Sequence, residues 1–218
     1  GIEQVLSRRG YQMLLASTDN QPAKEITYLK LFENYPVDGI VLIATVITGE
    51  HKKFLKESKV PVVVVGQYTK YANCIYHDDY GAGKAMGKIA AAAAGEKGRI
   101  AYIGVTREDK AVGTAREEGF RAGLKSLGAE LEEEYTRKSQ FTMESGYEAA
   151  LDLLEKKKDI AVLSCATDTI AAGAIEAILA CSKKKIPQEV QDSGSRMGYV
   201  LKGSSIKVTG FGDNQFLK

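Results

Sequence analysis

The sequence has few cysteines, no excess of charge of one sign, and no long hydrophobic run. Its three cysteines, Cys74, Cys165 and Cys181, lack C-x-x-C spacing. They therefore predict reduced, partly buried thiols in a reducing compartment rather than a disulfide framework. The 30 basic and 28 acidic residues leave a net charge of +2, which excludes a broad nucleic-acid footprint in this segment. No run resembles a signal peptide or a membrane span.

Residue patterns that carry catalysis are also scarce. The sequence has no G-x-S-x-G, no H-E-x-x-H and no clustered metal-ligand spacing. His51 falls in the charged start of a helix, which we expect to be exposed. His77 lies near the expected crossover between two lobes of the chain. The glycines of residues 81–87 lack the spacing of a phosphate loop, and the alanines of 90–94 favour tight helix packing. We therefore predict no catalytic residue, no cofactor and no metal, and a protein that is not an enzyme.

Short β-branched runs alternate with helical patterns along the whole chain. Such alternation predicts an α/β protein with parallel sheets between helices on both faces. Helices are predicted at residues 2–9, 22–33, 50–58, 77–94, 110–127, 143–157 and 168–181. Strands are predicted at residues 11–16, 40–43, 60–65, 74–76, 99–104, 160–164 and 206–210.

The alternation runs in two series, separated by a polar and aromatic stretch at residues 67–73. We expect two α/β lobes, an N-terminal one over residues 1–76 and a C-terminal one over residues 77–218, with a cleft between them. Residues 188–205 have no clear period, and loops of this length are uncommon. They are a functional flap, a mobile insertion, or a stretch of uncertain sequence.

Polar and aromatic residues follow several of the predicted strands, where ligands of parallel sheets bind. Arg116 could bind hydroxyls or a phosphate, or it could form a surface ion pair with neighbours near Glu117. Phe141 and Tyr76 could each cap a core or stack on a ligand ring. Thr167 could face the ligand or simply cap the following helix.

Several blocks together resemble the effector-binding core of the LacI/GalR family of bacterial transcription regulators. The resemblance covers essentially the whole chain, and its strength lies in the order and spacing of the blocks. The matching blocks are GIE and RGYQMLL at residues 1–3 and 9–15, VDGIVL at 37–42, VPVVV at 60–64, DDYGA at 78–82, AREEGFRAGL at 115–124, SGYEAA at 145–150, ATDTIAAGA at 166–174 and GFGD at 210–213.

This resemblance implies a two-lobed, periplasmic-binding-protein-like fold with a sugar or sugar phosphate between the lobes. It implies that Arg116 binds effector hydroxyls, that Phe141 and Tyr76 are aromatic walls, and that Thr167 stands where the family often has Asn. The family's acidic ligand residue is displaced, which leaves Asp213 as its substitute. The family's first strand, its helix-turn-helix headpiece and its final crossover are expected to lie outside this sequence.

The function implied is that of a cytoplasmic, homodimeric, sugar-responsive repressor. The effector would change the affinity for operator DNA, which a headpiece outside this chain would bind, and no membrane is involved. Block 165–170 and the variation at Gly212 resemble sucrose- and trehalose-type repressors. A second hypothesis is an extracytoplasmic sugar-binding protein of a transporter. A third is a sugar-phosphate enzyme, for which only His77 or Asp213 could be the base.

Overall fold

Apolar runs of four to six residues form the central strands of two separate sheets. The computed structural model describes residues 1–95, 98–181, 191–192, 198–200 and 205–212. Two compact units divide the chain, Gly1–Tyr76 (unit 1) and His77–Lys218 (unit 2). Asp213 and most of residues 188–205 lie outside the described residues.

Unit 1 contains a three-stranded parallel sheet in the order β1-β2-β3. Its core lies between this sheet and two helices, where Leu29, Leu42 and Val64 are buried. The elements of unit 1 are α1 (Ile2–Arg8), α2 (Pro22–Glu33), β1 (Ile40–Ile43), α3 (Gly49–Glu57), β2 (Val62–Val65) and β3 (Asn73–Ile75).

His51 is fully buried, so the expectation of an exposed position is wrong. The side chain of Thr48 caps α3 by accepting from the His51 N–H, and His51 Nδ1 lies 2.7 Å from Thr48 Oγ1. On its other side, His51 Nε2 lies 2.9 Å from Oε2 of the buried Glu25, within ion-pair distance but without hydrogen-bond alignment. This polar pair joins α2 to α3.

The predicted strand at residues 11–16 is wrong, because these residues form no ladder. Leu14 and Leu15 are 62% and 85% exposed. A strand exists only when a neighbour accepts and donates its backbone hydrogen bonds. Among the described residues, β1 pairs only with β2, and no second strand lies along its other edge. Residues 11–16 have the apolar pattern of a strand, but the described residues provide no partner strand for them.

Unit 2 contains a six-stranded sheet in the order β5-β4-β6-β9-β8-β7. Strands β5, β4, β6 and β9 are parallel, while β8 pairs antiparallel with β9 and β7. The elements of unit 2 are α4 (Asp79–Ala94), β4 (Arg99–Gly104), a π-helix (Lys110–Arg116), α5 (Glu117–Lys125), a 3-10 turn (Glu133–Tyr135), β5 (Thr136–Lys138), α6 (Met143–Lys156), β6 (Ile160–Cys165), α7 (Asp168–Cys181), β7 (Gln191–Asp192), β8 (Gly198–Val200) and β9 (Lys207–Thr209).

The α/β class is confirmed, with two local differences in unit 2. The continuous helix expected at residues 110–127 is a π-helix followed by α5, and β5 lies between residues 127 and 143, where no strand is predicted. The glycines of residues 81–87 pack helices together: a Cβ on Gly83 would lie 2.1 Å from the backbone oxygen of Arg116. Within the described residues, no helix has both the length and the apolar character needed to cross a membrane.

Candidate functional site

The carboxyl ends of four parallel strands of unit 2 meet at one edge of its sheet. The segment after β4 leads into the π-helix, and the segment after β5 carries Phe141. The segments after β6 and β9 carry Thr167 and Phe211. This edge is where open α/β sheets bind their ligands. We call these four segments the carboxyl edge of unit 2.

Arg116 occupies the last position of the π-helix. The helix begins at Asp109, whose carboxylate accepts from the backbone N–H groups of Ala111 and Val112 at 3.0 and 2.8 Å. The wider winding of a π-turn shifts the side chains that follow it, and such turns occur frequently at functional sites. The expected regular helix would therefore have oriented Arg116 differently.

The guanidinium of Arg116 is buried, with 6% of the residue exposed. Its Nε and Nη2 donate to the same oxygen of Asp79 at 3.0 and 2.5 Å, and Nη1 donates to the backbone oxygen of Ala166. The Phe211 ring covers one face, with its centroid 4.0 Å from Cζ. The alternative of a surface ion pair with neighbours near Glu117 is therefore wrong, because Arg116 is buried and pairs with Asp79.

An arginine has five N–H groups to donate. In the described residues Asp79 takes two of them and Ala166 takes a third. Two N–H groups of Arg116 remain for another acceptor. Because the side chain is already fixed by Asp79 and Phe211, it would lose little further entropy on binding a ligand.

Thr167 and Asp168 start α7 beside this arginine. The Thr167 hydroxyl accepts from the Ile170 N–H at 3.3 Å, so the helix-capping interpretation is confirmed. Asp168 is 3% exposed, and its N–H donates to the Phe211 backbone oxygen at 3.2 Å. A Cβ on Gly210 would lie 2.6 Å from the Asp168 carboxylate. Glycine at that position lets the chain after β9 pass close to the carboxylate.

The thiol of Cys165 lies under this edge and is fully buried. Burial raises its pKa, and the nearby Asp168 carboxylate raises that pKa further. Since the thiolate is the reactive form, Cys165 is held as an inert thiol.

The predicted binding residues fall in different places. Arg116 and Thr167 lie at the carboxyl edge of unit 2, where both connect to the β6–α7 junction. Phe141 follows β5 and packs partly buried against the unit 2 core. Tyr76 belongs to unit 1, and Asp213 lies outside the described residues.

Sequence reasoning missed Asp79 and Phe211 as the partners of Arg116. One signal for Asp79 was available, because the sequence has two adjacent aspartates at the start of α4, and a helix needs only one cap. The Asp78 carboxylate accepts from the Gly81 N–H at 2.9 Å and is the cap. Asp79 is therefore left to pair with a cation.

Tyr76 follows β3 at the carboxyl end of the unit 1 sheet and is 55% exposed. Its ring lies against that of Tyr68, with centroids 5.7 Å apart and an interplanar angle of 64°. Tyr68, like Asp79 and Phe211, is a residue that sequence reasoning missed.

Comparison with known families accounts for this architecture. Residues 1–202 match the family described as periplasmic binding proteins and the sugar binding domain of the LacI family. The chain belongs to this family. The periplasmic-binding-protein-like fold and the LacI-family resemblance expected from the sequence are thereby confirmed.

Two known proteins are similar to this chain over most of its length. The sucrose operon repressor of Staphylococcus xylosus is 34% identical over 173 residues, which cover 78% of this chain and 52% of the repressor. The catabolite control protein A of Priestia megaterium is 28% identical, over 80% of this chain and 53% of that protein. The chain thus spans about half the length of these relatives.

A solved LacI-family structure shows the same fold. The transcription regulator CcpA of Lactococcus lactis superposes with a TM-score of 0.70 at 28% identity, over 86% of this chain and 68% of that one. This chain is therefore similar to these proteins in both sequence and fold.

Proposed function

We propose that this chain is the effector-binding domain of a sugar-responsive transcriptional repressor. The effector is a small sugar or sugar phosphate. Its binding changes the affinity of the whole protein for operator DNA, to which a headpiece outside these 218 residues binds. The observation that carries the proposal is the pre-set Arg116 guanidinium at the carboxyl edge of unit 2.

The two remaining N–H groups of Arg116 suit the hydroxyl oxygens of a sugar. A charged hydrogen bond contributes about 1.5–3 kcal/mol, and two of them in fixed directions would select the orientation of the ring. Phe141 and Tyr76 supply apolar ring faces, and Asp213 supplies an acceptor for hydroxyl protons. Thr167 contributes mainly by capping α7, which fixes the segment to which Arg116 is bound.

Regulation follows from binding one arrangement of the two units better than another. Ligands shift a conformational equilibrium only through contacts that differ between its states, and such couplings are typically about 1–3 kcal/mol. One or two hydrogen bonds to Arg116 that form in a single arrangement would suffice. In a homodimer, this change would reposition two DNA-binding headpieces together.

Two features support a repressor in the cytoplasm over an extracytoplasmic binding protein. Cys74, Cys165 and Cys181 are all free thiols, which is typical of reducing compartments. The similar proteins named above are a sucrose operon repressor and catabolite control proteins. These relatives also favour a regulator over an enzyme.

The test is calorimetric titration of the full-length protein with sucrose, trehalose, their 6-phosphates, fructose and glucose, each paired with operator binding at fixed salt, because DNA affinity depends strongly on salt. We expect one of these sugars to bind and to change operator affinity. Phe141→Ala should weaken that binding, whereas Met143→Ala, an exposed apolar change two residues away, should not. Sugar binding with no DNA affinity in any state would instead indicate a transport protein.

A further inference from the structure

A second aromatic side chain stands beside Tyr76 at the carboxyl edge of the unit 1 sheet. Strands β2 and β3 are parallel and in register, with Val65 opposite Ile75. Tyr76 directly follows β3, and Tyr68 lies three residues after β2. Both rings therefore occupy the edge at which a parallel sheet presents its ligand-binding residues.

The loop that carries Tyr68 is fixed on both sides of it. Gln67 is 5% exposed and donates from Nε2 to the backbone oxygen of Thr45 at 2.8 Å. Thr69 is 6% exposed, and its N–H lies 3.3 Å from the Cys74 Sγ. Tyr68, between these two buried neighbours, is 67% exposed. The backbone thus holds a large aromatic side chain outward in a defined place.

The two rings also fix each other. With centroids 5.7 Å apart and planes at 64°, they form an edge-to-face pair, which is a favoured arrangement of aromatic rings. An edge-to-face pair leaves ring surface open, as the exposure of both residues shows. Tyrosine offers rigid apolar area and a hydroxyl at low entropic cost, which suits a ligand with an apolar face and a polar rim.

We propose that Tyr68 is a further effector-contacting residue, and that Tyr68 and Tyr76 form a two-ring platform for the C–H face of a sugar ring. This inference rests on the proposed function and adds to it a specificity-determining contact in unit 1. A sugar ring matches the platform because its axial C–H groups meet the ring faces while its hydroxyls reach the tyrosine oxygens. The other exposed tyrosines of unit 1, Tyr11, Tyr35 and Tyr71, have no such ring partner among the described residues.

The absence of tryptophan from the sequence allows a direct test. Tyr68→Trp in the full-length protein introduces a tryptophan reporter at the platform, and its signal is the difference in fluorescence from the unsubstituted protein. Titration with sucrose, trehalose and their 6-phosphates should change its fluorescence in a saturable way, with the dissociation constant found by calorimetry for the unsubstituted protein. Tyr68→Ala should weaken that affinity about tenfold, the loss expected of a buried aromatic contact.

Tyr35 supplies the matched control, because it is 56% exposed but precedes β1, at the amino end of the sheet. Tyr35→Ala should keep the original affinity, and Tyr35→Trp should show no sugar-dependent fluorescence. If the unsubstituted protein binds a sugar and Tyr68→Ala binds it equally well, the platform is wrong and the proposed function stands. If the unsubstituted protein binds none of the sugars, both proposals are wrong.

Discussion

Both units contain a sheet with apolar strands, but they bury these strands to different extents. Unit 2 buries both its central strands and the helices beside them, and Ile103, Leu163 and Ile170 are fully inaccessible. Unit 1 buries one side of its sheet, with Leu42 and Val64 against α2 and α3. With the exception of Tyr80, Leu127 and Met143, the large apolar side chains exposed in the described residues all belong to unit 1.

The difference lies in alternate positions of the same strand. In β1, Ile40 and Leu42 are buried while Val41 and Ile43 are 47% and 68% exposed. Strands of parallel sheets are apolar on both faces because both faces are normally covered. Helix α1 has no buried residue and does not cover this face. Apolar residues on both faces of a strand therefore indicate that other residues must cover both faces of its sheet. In unit 1, the described residues leave one face of the sheet uncovered.

Both units contain a buried ion pair, and the two pairs differ. We expect the largest effect from a substitution that breaks the pair in unit 2. Arg116→Ala leaves the Asp79 carboxylate buried without its cation. Removing one partner of a buried pair typically costs about 3–5 kcal/mol, so we expect the free energy of unfolding of unit 2 to fall by about that amount. Urea unfolding measures this loss of free energy, with labelling of the buried Cys165 thiol as the signal that unit 2 has unfolded.

Arg107→Ala is the matched control, since Arg107 pairs with Glu118 and both side chains are about half exposed. Surface pairs contribute about 0–1 kcal/mol, so this variant should unfold almost as the original does. Labelling of Cys74, which lies in unit 1, should be unaffected by either change. Equal effects of the two arginine substitutions would contradict the buried pair, and they would remove the basis for a pre-set Arg116.

The geometry around Arg116 also marks what the sequence could predict. Arg116 itself was identified, because the family blocks point to it. Asp79 lies 37 positions away in the chain, and the contact exists only once the helices have packed. The π-helix depends on the same packing, since nothing in the local periodicity of residues 110–127 distinguishes it from a regular helix.

Strands show the same division between local and non-local information. The runs at Ile40–Ile43 and Ile160–Cys165 were predicted, because continuous apolar character is a local property. Strand Thr136–Lys138 was missed, because its polar residues become a strand only by pairing with Tyr102 and its neighbours in β4. The prediction for residues 11–16 was wrong for the opposite reason. The apolar pattern is present, but no described strand pairs with it.

A smaller effect would measure how far unit 1 remains uncovered. Leu42→Ala removes a buried side chain and should cost about 2–5 kcal/mol. Val41→Ala, the adjacent position on the open face, should cost under about 0.5 kcal/mol in the 218-residue chain. We expect Val41→Ala to cost about 1–2 kcal/mol in the full-length protein, where further polypeptide would cover this face. An identical small cost in both lengths would show that the face stays open.

The last of these effects concerns the buried pair of unit 1. Glu25→Leu leaves His51 Nε2 without its neighbour, and we expect a loss of about 1–3 kcal/mol, the cost of a buried polar group without a partner. This is less than for Arg116→Ala because Arg116→Ala leaves a buried carboxylate without its cation, whereas Glu25→Leu removes the buried carboxylate itself. Urea unfolding followed by Cys74 labelling measures the loss, with the exposed Lys24→Leu on the same helix as control. If Glu25→Leu cost as much as Arg116→Ala, the two buried pairs would stabilise their units equally, and the two units would differ only in how much of their sheets is covered.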